Sequence, residues 1–316
     1  WPDPEPCEGN CSFVHDPSLI RRPDGMWVRF STLGNIAIAT APKLTGPWTY
    51  EGPMLPKGTS IMAVEGQQMW APDVHLLGDT YYTYYAVSRS GVQTSDIGVA
   101  TSKTCDINSW TDHGSIGVPK SSSYNLIDPN MYCECPTCDS HFTFGSGWEG
   151  IFETGLDKDF LSWKDEAPLQ TIYNSTIPLG QDFPAIAEGA FLFGWKSYGV
   201  TFYYLFFSSG ACCNAANALL TPGNEYKIMV CRARAPIGPF YDANGRNCLT
   251  QNGGTLVLSS HGTRVYAPGG QGVVFDPDAN RVAMYYHYAD PNIGYAYEDF
   301  FFGFNYIDFS HGWPVV

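Results

Sequence analysis

The stretch "NLIDPNMYCE", residues 125–134, sets a charged residue, Asp128, among apolar neighbours and a proline in a segment that otherwise reads as a short buried β-strand. A carboxylate is costly to bury unless it is paired or wet, so its position asks for a reason. The reason emerges when the segment is laid beside the rest of the chain. Similar stretches recur as "VHDPSLIRR", "WAPDVHLLG", "IAEGAFLFG" and "PGGQGVVFD". Each is followed by a β-rich run ("GMWVRFST", "TYYTYYAVS", "SHFTFGSG", "TFYYLFFSSG", "RVAMYYHYAD") and then by a third, such as "NIAIATAPKLTGPWTYEG" or "KIMVCRARAPIGPFYD". Short strands bounded by Gly, Pro, Asn and Asp, with no long amphipathic helical pattern, repeat five times.

Five units in 316 residues give about 63 residues each, enough for a small sheet plus long loops at one rim. The expected fold is all-β, a five-bladed β-propeller forming a single domain over residues 1–316, with the first strand of every unit lining the axis. The third elements end on a large aromatic (Trp48, Trp110, Trp163, Phe240, Trp313), read as the filler between neighbouring sheets. Aligning the first strands brings Asp16, Asp73, Asp128, Glu188 and Gln271 to equivalent positions, so four acidic side chains are expected to converge at one end of the axis. A single Asp-Pro or Pro-Asp pair reads as a turn cap. Four acids at one register read better as a shared cavity, in which crowded carboxyls shift one another's proton affinities as acid/base catalysis requires.

Composition narrows the function further. The chain is 44% hydrophobic and only 15% charged, holds 20 Tyr and 19 Phe, and carries a net charge of −14. Aromatic and β-branched richness favours sheets. The acidity and the absence of any basic cluster longer than Arg21-Arg22 argue against a nucleic-acid partner. No apolar run reaches the roughly 18–20 residues of a membrane-spanning helix, so no membrane partner is expected, and a monomer is. The chain starts at Trp1 with neither an initiator methionine nor an apolar leader, which reads as a leader removed or a sequence that starts late. With ten cysteines and two acceptor triplets, Asn10-Cys11-Ser12 and Asn174-Ser175-Thr176, this makes a secreted, extracellular protein the expectation.

Two carboxyls flanking a glycosidic bond hydrolyse it with inversion when they stand roughly 6.5–9.5 Å apart and with retention at about 5–5.5 Å. Aromatic residues near the same rim, Trp70, Phe144 and Trp148, offer faces on which sugars stack, or equally core filler.

The ordered motifs "VHDPSLIR", "MWAPDVHLL", "YNLIDPNMY", "HFTFGSGWEGI", "PAIAEGAFLF" and "YKIMVCRARAPIGPF" resemble glycoside hydrolase family 43, in particular its fungal-type endo-1,5-α-L-arabinanases, across nearly the whole chain. The resemblance implies an inverting hydrolase of arabinan, a pectin side chain. Asp16 would be the general base, Glu188 the general acid, and Asp128 the group that raises the pKa of Glu188 and orients it. It also implies that Asn125, Phe144, Ser146 and Trp148 line the sugar subsites and that Asp73 stands at the cavity, binding a sugar hydroxyl or orienting a neighbour; Trp70, from the aromatic rim, joins the expected substrate contacts. Same-fold alternatives are an exo-acting α-L-arabinofuranosidase or a β-xylosidase using the same three acids; a non-catalytic sugar-binding propeller is the reading from another class.

Where bacterial relatives use a fifth-blade histidine to help hold a central calcium, this chain has Gln271, so no metal or other cofactor is expected to be required. A structural calcium or sodium ion on the axis is the alternative. His287 reads as a structural histidine, and His15 is expected, by strand alternation, to point away from Asp16. The "CECPTC" stretch, residues 133–138, reads as disulfide-forming rather than zinc-binding, and Cys231 and Cys248 flank a hairpin-like segment suited to a bridge.

Overall fold

A computed structural model of the 316-residue chain describes residues 1–173, 186–197, 199–212 and 216–316. Asn174, Cys213 and part of the insertion between Ser209 and Tyr226 therefore lie outside the described residues. Nineteen strands form five antiparallel sheets, and no α-helix occurs among the described residues.

The first blade holds β1 (Ser18–Arg21), β2 (Trp27–Ser31), β3 (Ala37–Ala41) and β4 (Thr49–Pro53). The second holds β5 (Gln68–Leu77), β6 (Thr80–Ser88), β7 (Asp96–Ser102) and β8 (Thr111–Ser115). The third holds β9 (Asn130–Tyr132), β10 (His141–Phe144), β11 (Ile151–Thr154) and β12 (Leu169–Ile172). The fourth holds β13 (Ala187–Ser197), β14 (Val200–Ser209), β15 (Lys227–Ala233) and β16 (Thr255–Leu258). The fifth holds β17 (Tyr266–Asp276), β18 (Arg281–Ala289) and β19 (Phe300–Ile307). Strands pair in chain order within every blade, the up-and-down order of a propeller. Each third element of the sequence repeat thus contains two strands in the first two blades and one in the third and fourth, where β12 and β16 follow further along the chain.

Residues 5–14 supply the missing edge of the fifth blade. Ser12 bridges antiparallel to Phe301, the Phe302 N–H donates to the Cys11 carbonyl at 2.8 Å, and the Glu5 N–H donates to the Phe304 carbonyl at 2.8 Å. The same segment is tied to the first blade, where Trp48 N–H donates to the Glu8 carbonyl at 2.8 Å and Asn10 N–H to the Trp48 carbonyl at 2.8 Å. A disulfide between Cys7 and Cys11 braces it. The chain's start thereby closes the ring onto its end, removing exposed sheet edges at the seam.

The core is five separate apolar clusters, one at each junction between blades. Val28, Phe30 and Tyr85 fill the first junction, and Tyr84, Phe142 and Phe144 the second. Ile151, Leu192 and Phe207 fill the third, Phe206, Met284 and Tyr286 the fourth, and Trp27, Trp48 and Phe302 the seam. Middle strands such as β6 and β18 are buried on both faces, which explains their unbroken aromatic sequence. The recurring aromatics do fill these gaps: Trp48 packs in the seam, Trp110, Trp163 and Trp313 against the first, second and fourth clusters, and Phe240 in the third.

Besides Cys7–Cys11, disulfides join Cys135 to Cys138 and Cys231 to Cys248, while Cys105 and Cys133 are free thiols. The "CECPTC" stretch therefore spends two of its three cysteines on a bridge.

Candidate active site

Asp128 does not lie in a strand. It precedes β9 in a left-handed backbone conformation, with φ 54°. The same conformation recurs at Asp16 (φ 44°), Ala71 (φ 43°), Gly189 (φ 61°) and Gly270 (φ 57°), where the inner strand of each blade begins or bulges; the fifth blade has a second such residue at Ala267 (φ 51°). Left-handed residues are uncommon outside glycine and break the alternation of a strand. Their fivefold recurrence gives the true register: Asp16, Ala71, Asp128, Gly189 and Gly270 are equivalent. Sequence alignment by acid type is thus two residues late at Asp73 and one early at Glu188. Because residues before β1 are not extended, His15 also escapes the alternation expected of it and lines the same cavity as Asp16.

The register explains Asp73. Two residues after each left-handed position in the first three blades stands a polar side chain that accepts an amide from the following blade. Val74 N–H donates to Ser18 Oγ at 3.0 Å, Met131 N–H to Asp73 Oδ2 at 2.7 Å, and Leu192 N–H to Asn130 Oδ1 at 2.8 Å. Asp73 further accepts from Asn130 Nδ2 at 3.1 Å and contacts His75 Nε2 at 2.6 Å. It lines the narrow axial channel of about 40 Å³, with residues of all five inner strands, rather than the wide cavity above it.

That cavity, of about 890 Å³, gathers Asp16, Asp128 and Glu188 from three blades. Trp70, Phe13 and Tyr297 contribute aromatic walls. Asp16 Oδ2 accepts the Thr32 hydroxyl at 2.8 Å, and Thr32 Oγ1 itself accepts the Ala71 N–H at 2.7 Å, so the hydroxyl proton is committed to Asp16. Asp128 Oδ2 accepts the Gly189 N–H at 3.1 Å. Glu188 takes a hydroxyl on each oxygen, Tyr226 on Oε1 and Ser146 on Oε2.

Burial pushes all three carboxyls above their ordinary values. For Asp128, raised well above the usual range, repulsion from Glu188 and then Asp16 adds to burial. For Glu188, burial and the Asp16 charge outweigh the two hydroxyls, which favour the anion. For Asp16, burial outweighs the Thr32 bond and the field of His15. The site therefore holds protons that isolated carboxyls would release.

The other sequence candidates separate. Ser146 touches Glu188, and Trp70 lines the cavity. Phe144 is fully buried in the second junction, edge-on to Tyr124 at 5.1 Å. Asn125 is buried with Nδ2 donating to the Val92 carbonyl at 3.4 Å, and half-buried Trp148 is not among the residues lining the wide cavity. Thr32 and Tyr226 escape sequence reading: neither stands at a repeat position, and each meets its acid only through the pairing of strands within its own blade. Gln271 has both ends of its amide engaged, Oε1 accepting the Ser208 hydroxyl at 2.8 Å and Nε2 donating to the Gly189 carbonyl at 2.6 Å.

A propeller that focuses three unequal, proton-retaining carboxyls into one cavity walled by aromatic rings has the equipment of a glycoside hydrolase. Comparison with known proteins agrees. Residues 11–314 match the family described as Glycosyl hydrolases family 43, and the chain belongs to that family. A protein named Arabinan endo-1,5-alpha-L-arabinosidase A from Aspergillus aculeatus is 46% identical over 319 residues, covering all of this chain and 94% of its own. One named Probable arabinan endo-1,5-alpha-L-arabinosidase A from Neosartorya fischeri matches to the same extent. Among solved structures, a GH43 endo-arabinanase from Bacillus licheniformis superposes with TM-score 0.82 at 26% identity, covering 98% of this chain and 99% of that one. An exo-1,5-alpha-L-arabinanase from a bovine ruminal metagenomic library superposes with TM-score 0.80 at 28% identity, covering 96% of each.

Proposed function

We propose that this glycoside hydrolase cleaves internal α-1,5-L-arabinofuranosidic bonds of arabinan with inversion, Asp16 acting as general base, Glu188 as general acid and Asp128 as the modulator of Glu188. The observation that carries the reading is the convergence of three half-buried carboxyls from three blades on one cavity, in a chain 46% identical to proteins named for arabinan endo-hydrolysis.

Each role has a physical basis. With Thr32 fixed on Oδ2, the other oxygen of Asp16 is the one to take a proton from the attacking water. Asp128 and Glu188 repel when both are ionised, so the pair is read as holding one proton in common at working pH. That proton reaches the leaving oxygen from Glu188 once a hydroxyl on one of its oxygens gives way to substrate. Aromatic faces of Trp70, Phe13 and Tyr297 would stack on sugar rings.

No resident metal is invoked. The Gln271 oxygen is already taken by Ser208 and its NH₂ by Gly189, a donor set poorly suited to a hard cation, which prefers several free oxygens. Activity that survives exhaustive chelation would agree with this; loss restored by calcium would overturn it. Secretion, with Asn10 and Asn174 as candidate glycosylation sites, completes the proposal on the acceptor triplets and cysteine content already described, and the protein is taken to act as a monomer.

The test is incubation with linear arabinan while products are sized and the anomer first formed is followed by proton NMR. Short oligosaccharides of inverted configuration support the proposal. Arabinose or arabinobiose alone from the outset would favour the exo action carried in the name of the ruminal neighbour, and retained configuration would remove the roles given to Asp16 and Glu188.

A further inference from the structure

His287, on β18, is fully buried, and none of the steps above uses it. Its surroundings fix its chemical state. The main-chain N–H of Asp16 points at Nδ1 from 2.9 Å. An N–H only donates, so Nδ1 presents its lone pair and the ring proton sits on Nε2. Nε2 in turn faces the sulfur of Cys212 at 3.8 Å, and Cys212 is disulfide-bonded. The rings of His15, Phe300 and Tyr226 pack around the imidazole with centroids at 5.1, 5.5 and 6.0 Å. Burial lowers its pKa to about 3, in keeping with a neutral ring.

Two alternative uses of this ring fall away. Nδ1 lies 3.5 Å from Asp16 Oδ1, the distance of an ion pair, yet an unprotonated nitrogen beside a carboxylate oxygen makes none. His15, Cys212 and His287 bring ligand-type atoms within 4.8 Å of one another, but the sulfur is oxidised and Nδ1 is already occupied, so a metal finds few open donors.

What the ring does is hold a backbone. Asp16 is left-handed (φ 44°), a conformation that a residue with a side chain keeps only when its surroundings over-determine it. The constraints are Thr32 on the carboxylate and His287 on the amide. Gly270 completes the fit: a Cβ there would stand 2.8 Å from Asp16 Oδ1 and 2.8 Å from His287 Nδ1, so only glycine leaves room for both.

We propose that His287 is a positioning residue for hydrolysis: by accepting the Asp16 amide at Nδ1 it locks the turn that aims the Asp16 carboxylate into the cavity. The proposal rests on Asp16 being the base, and the test separates the two.

The experiment compares kcat and KM on linear arabinan for His287→Asn, His287→Gln and His287→Leu, each with its Tm. Asparagine places an oxygen where Nδ1 stood, whereas glutamine places its polar atoms nearer Nε2. The asparagine variant is expected within about threefold of the parent kcat. Glutamine and leucine are expected to lose roughly 10- to 100-fold in kcat, the cost of a slightly misplaced reacting group, with KM within about twofold. Equal activity of the Asn and Gln variants, or an effect confined to KM, would overturn the proposal. Should His287→Leu fail to fold, the Asn/Gln contrast decides alone. Asp16→Ala is the control: turnover surviving there removes the base assignment, whereas an inactive Asp16→Ala beside a fully active His287→Gln removes only the positioning role.

Discussion

Tyr226, immediately before the third strand of the fourth blade, donates its hydroxyl to Oε1 of Glu188 on the inner strand of the same blade. Its ring lies against the bare Gly269 of the fifth blade, where a Cβ would come within 2.3 Å of the ring carbon Cδ1. The tyrosine is thereby wedged at the fourth junction with its hydroxyl aimed at the proposed acid.

A donated hydroxyl stabilises the carboxylate over the carboxylic acid, so this bond works against the burial that raises the Glu188 pKa. Tyr226→Phe should let that pKa rise further. Because the acid is active in its protonated form, the alkaline limb of the kcat profile should move to higher pH, with kcat at the optimum reduced about tenfold or less. A pH–rate series on linear arabinan measures this; a limb moved to lower pH would show that the hydroxyl does not act on the acid.

Asp128→Asn should separate stability from activity. The Asp128 carboxyl is held well above its ordinary range by burial first and by Glu188 and Asp16 next. The folded chain then binds this proton more tightly than the unfolded chain, so stability is lost as pH rises through the ordinary carboxylate range towards the raised value. Asparagine has no such proton to lose. The variant should therefore melt a few degrees higher than the parent at pH 7, with the difference vanishing below about pH 4. Its kcat should fall by roughly 10²–10³ as Glu188 loses the carboxyl packed beside it in the cavity. Melting curves at pH 4 and pH 7 check the sign.

The architecture was legible because it is written in periodicity: an aromatic such as Trp48 or Phe240 once per unit, and an apolar inner strand after each turn. The three acids were legible for the same reason. What escaped was register. Left-handed bulges at Ala71, Gly189 and Gly270 insert residues that alternation does not count, so counting along the strands places Asp73 with the cavity acids although its oxygens bind the next blade. Phe144 looked like a sugar platform because an aromatic near the rim and one inside a junction have the same sequence signature. Partners such as Thr32 and Tyr226, which stand 16 and 38 residues from the acids they bind, carry no local signal.

Gly270→Ala adds a single methyl group, and to a position already left-handed. Its Cβ would press on Asp16 Oδ1 and on His287 Cε1 and Nδ1, each at 2.8 Å. Neither neighbour is free to swing away, since Thr32 holds the Asp16 carboxyl and the imidazole is fully buried. The expected outcome is a loss of about 100-fold in kcat, larger than that of Gly189→Ala measured on activity per folded molecule, because the nearest atom to a Cβ at Gly189 is Ser208 Oγ at 3.3 Å, a looser contact than the 2.8 Å at Gly270. Equal losses would place the effect in backbone strain rather than in crowding of the base.

Asp73 supplies the sharpest contrast between a clasp and a sugar ligand. Its two oxygens receive Met131 N–H and Asn130 Nδ2 across the second junction, while Ser18 and Asn130 receive one amide each at neighbouring junctions. Asp73→Ala leaves two buried donors unpaired and should cost about 2–3 kcal/mol, seen as a Tm lower by several degrees. Asp73→Asn keeps one acceptor oxygen and should cost less. Since the carboxylate lies in the axial channel below the wide cavity, KM for arabinan should stay within about twofold in both variants. A several-fold rise in KM with unchanged melting would instead place this side chain on the substrate.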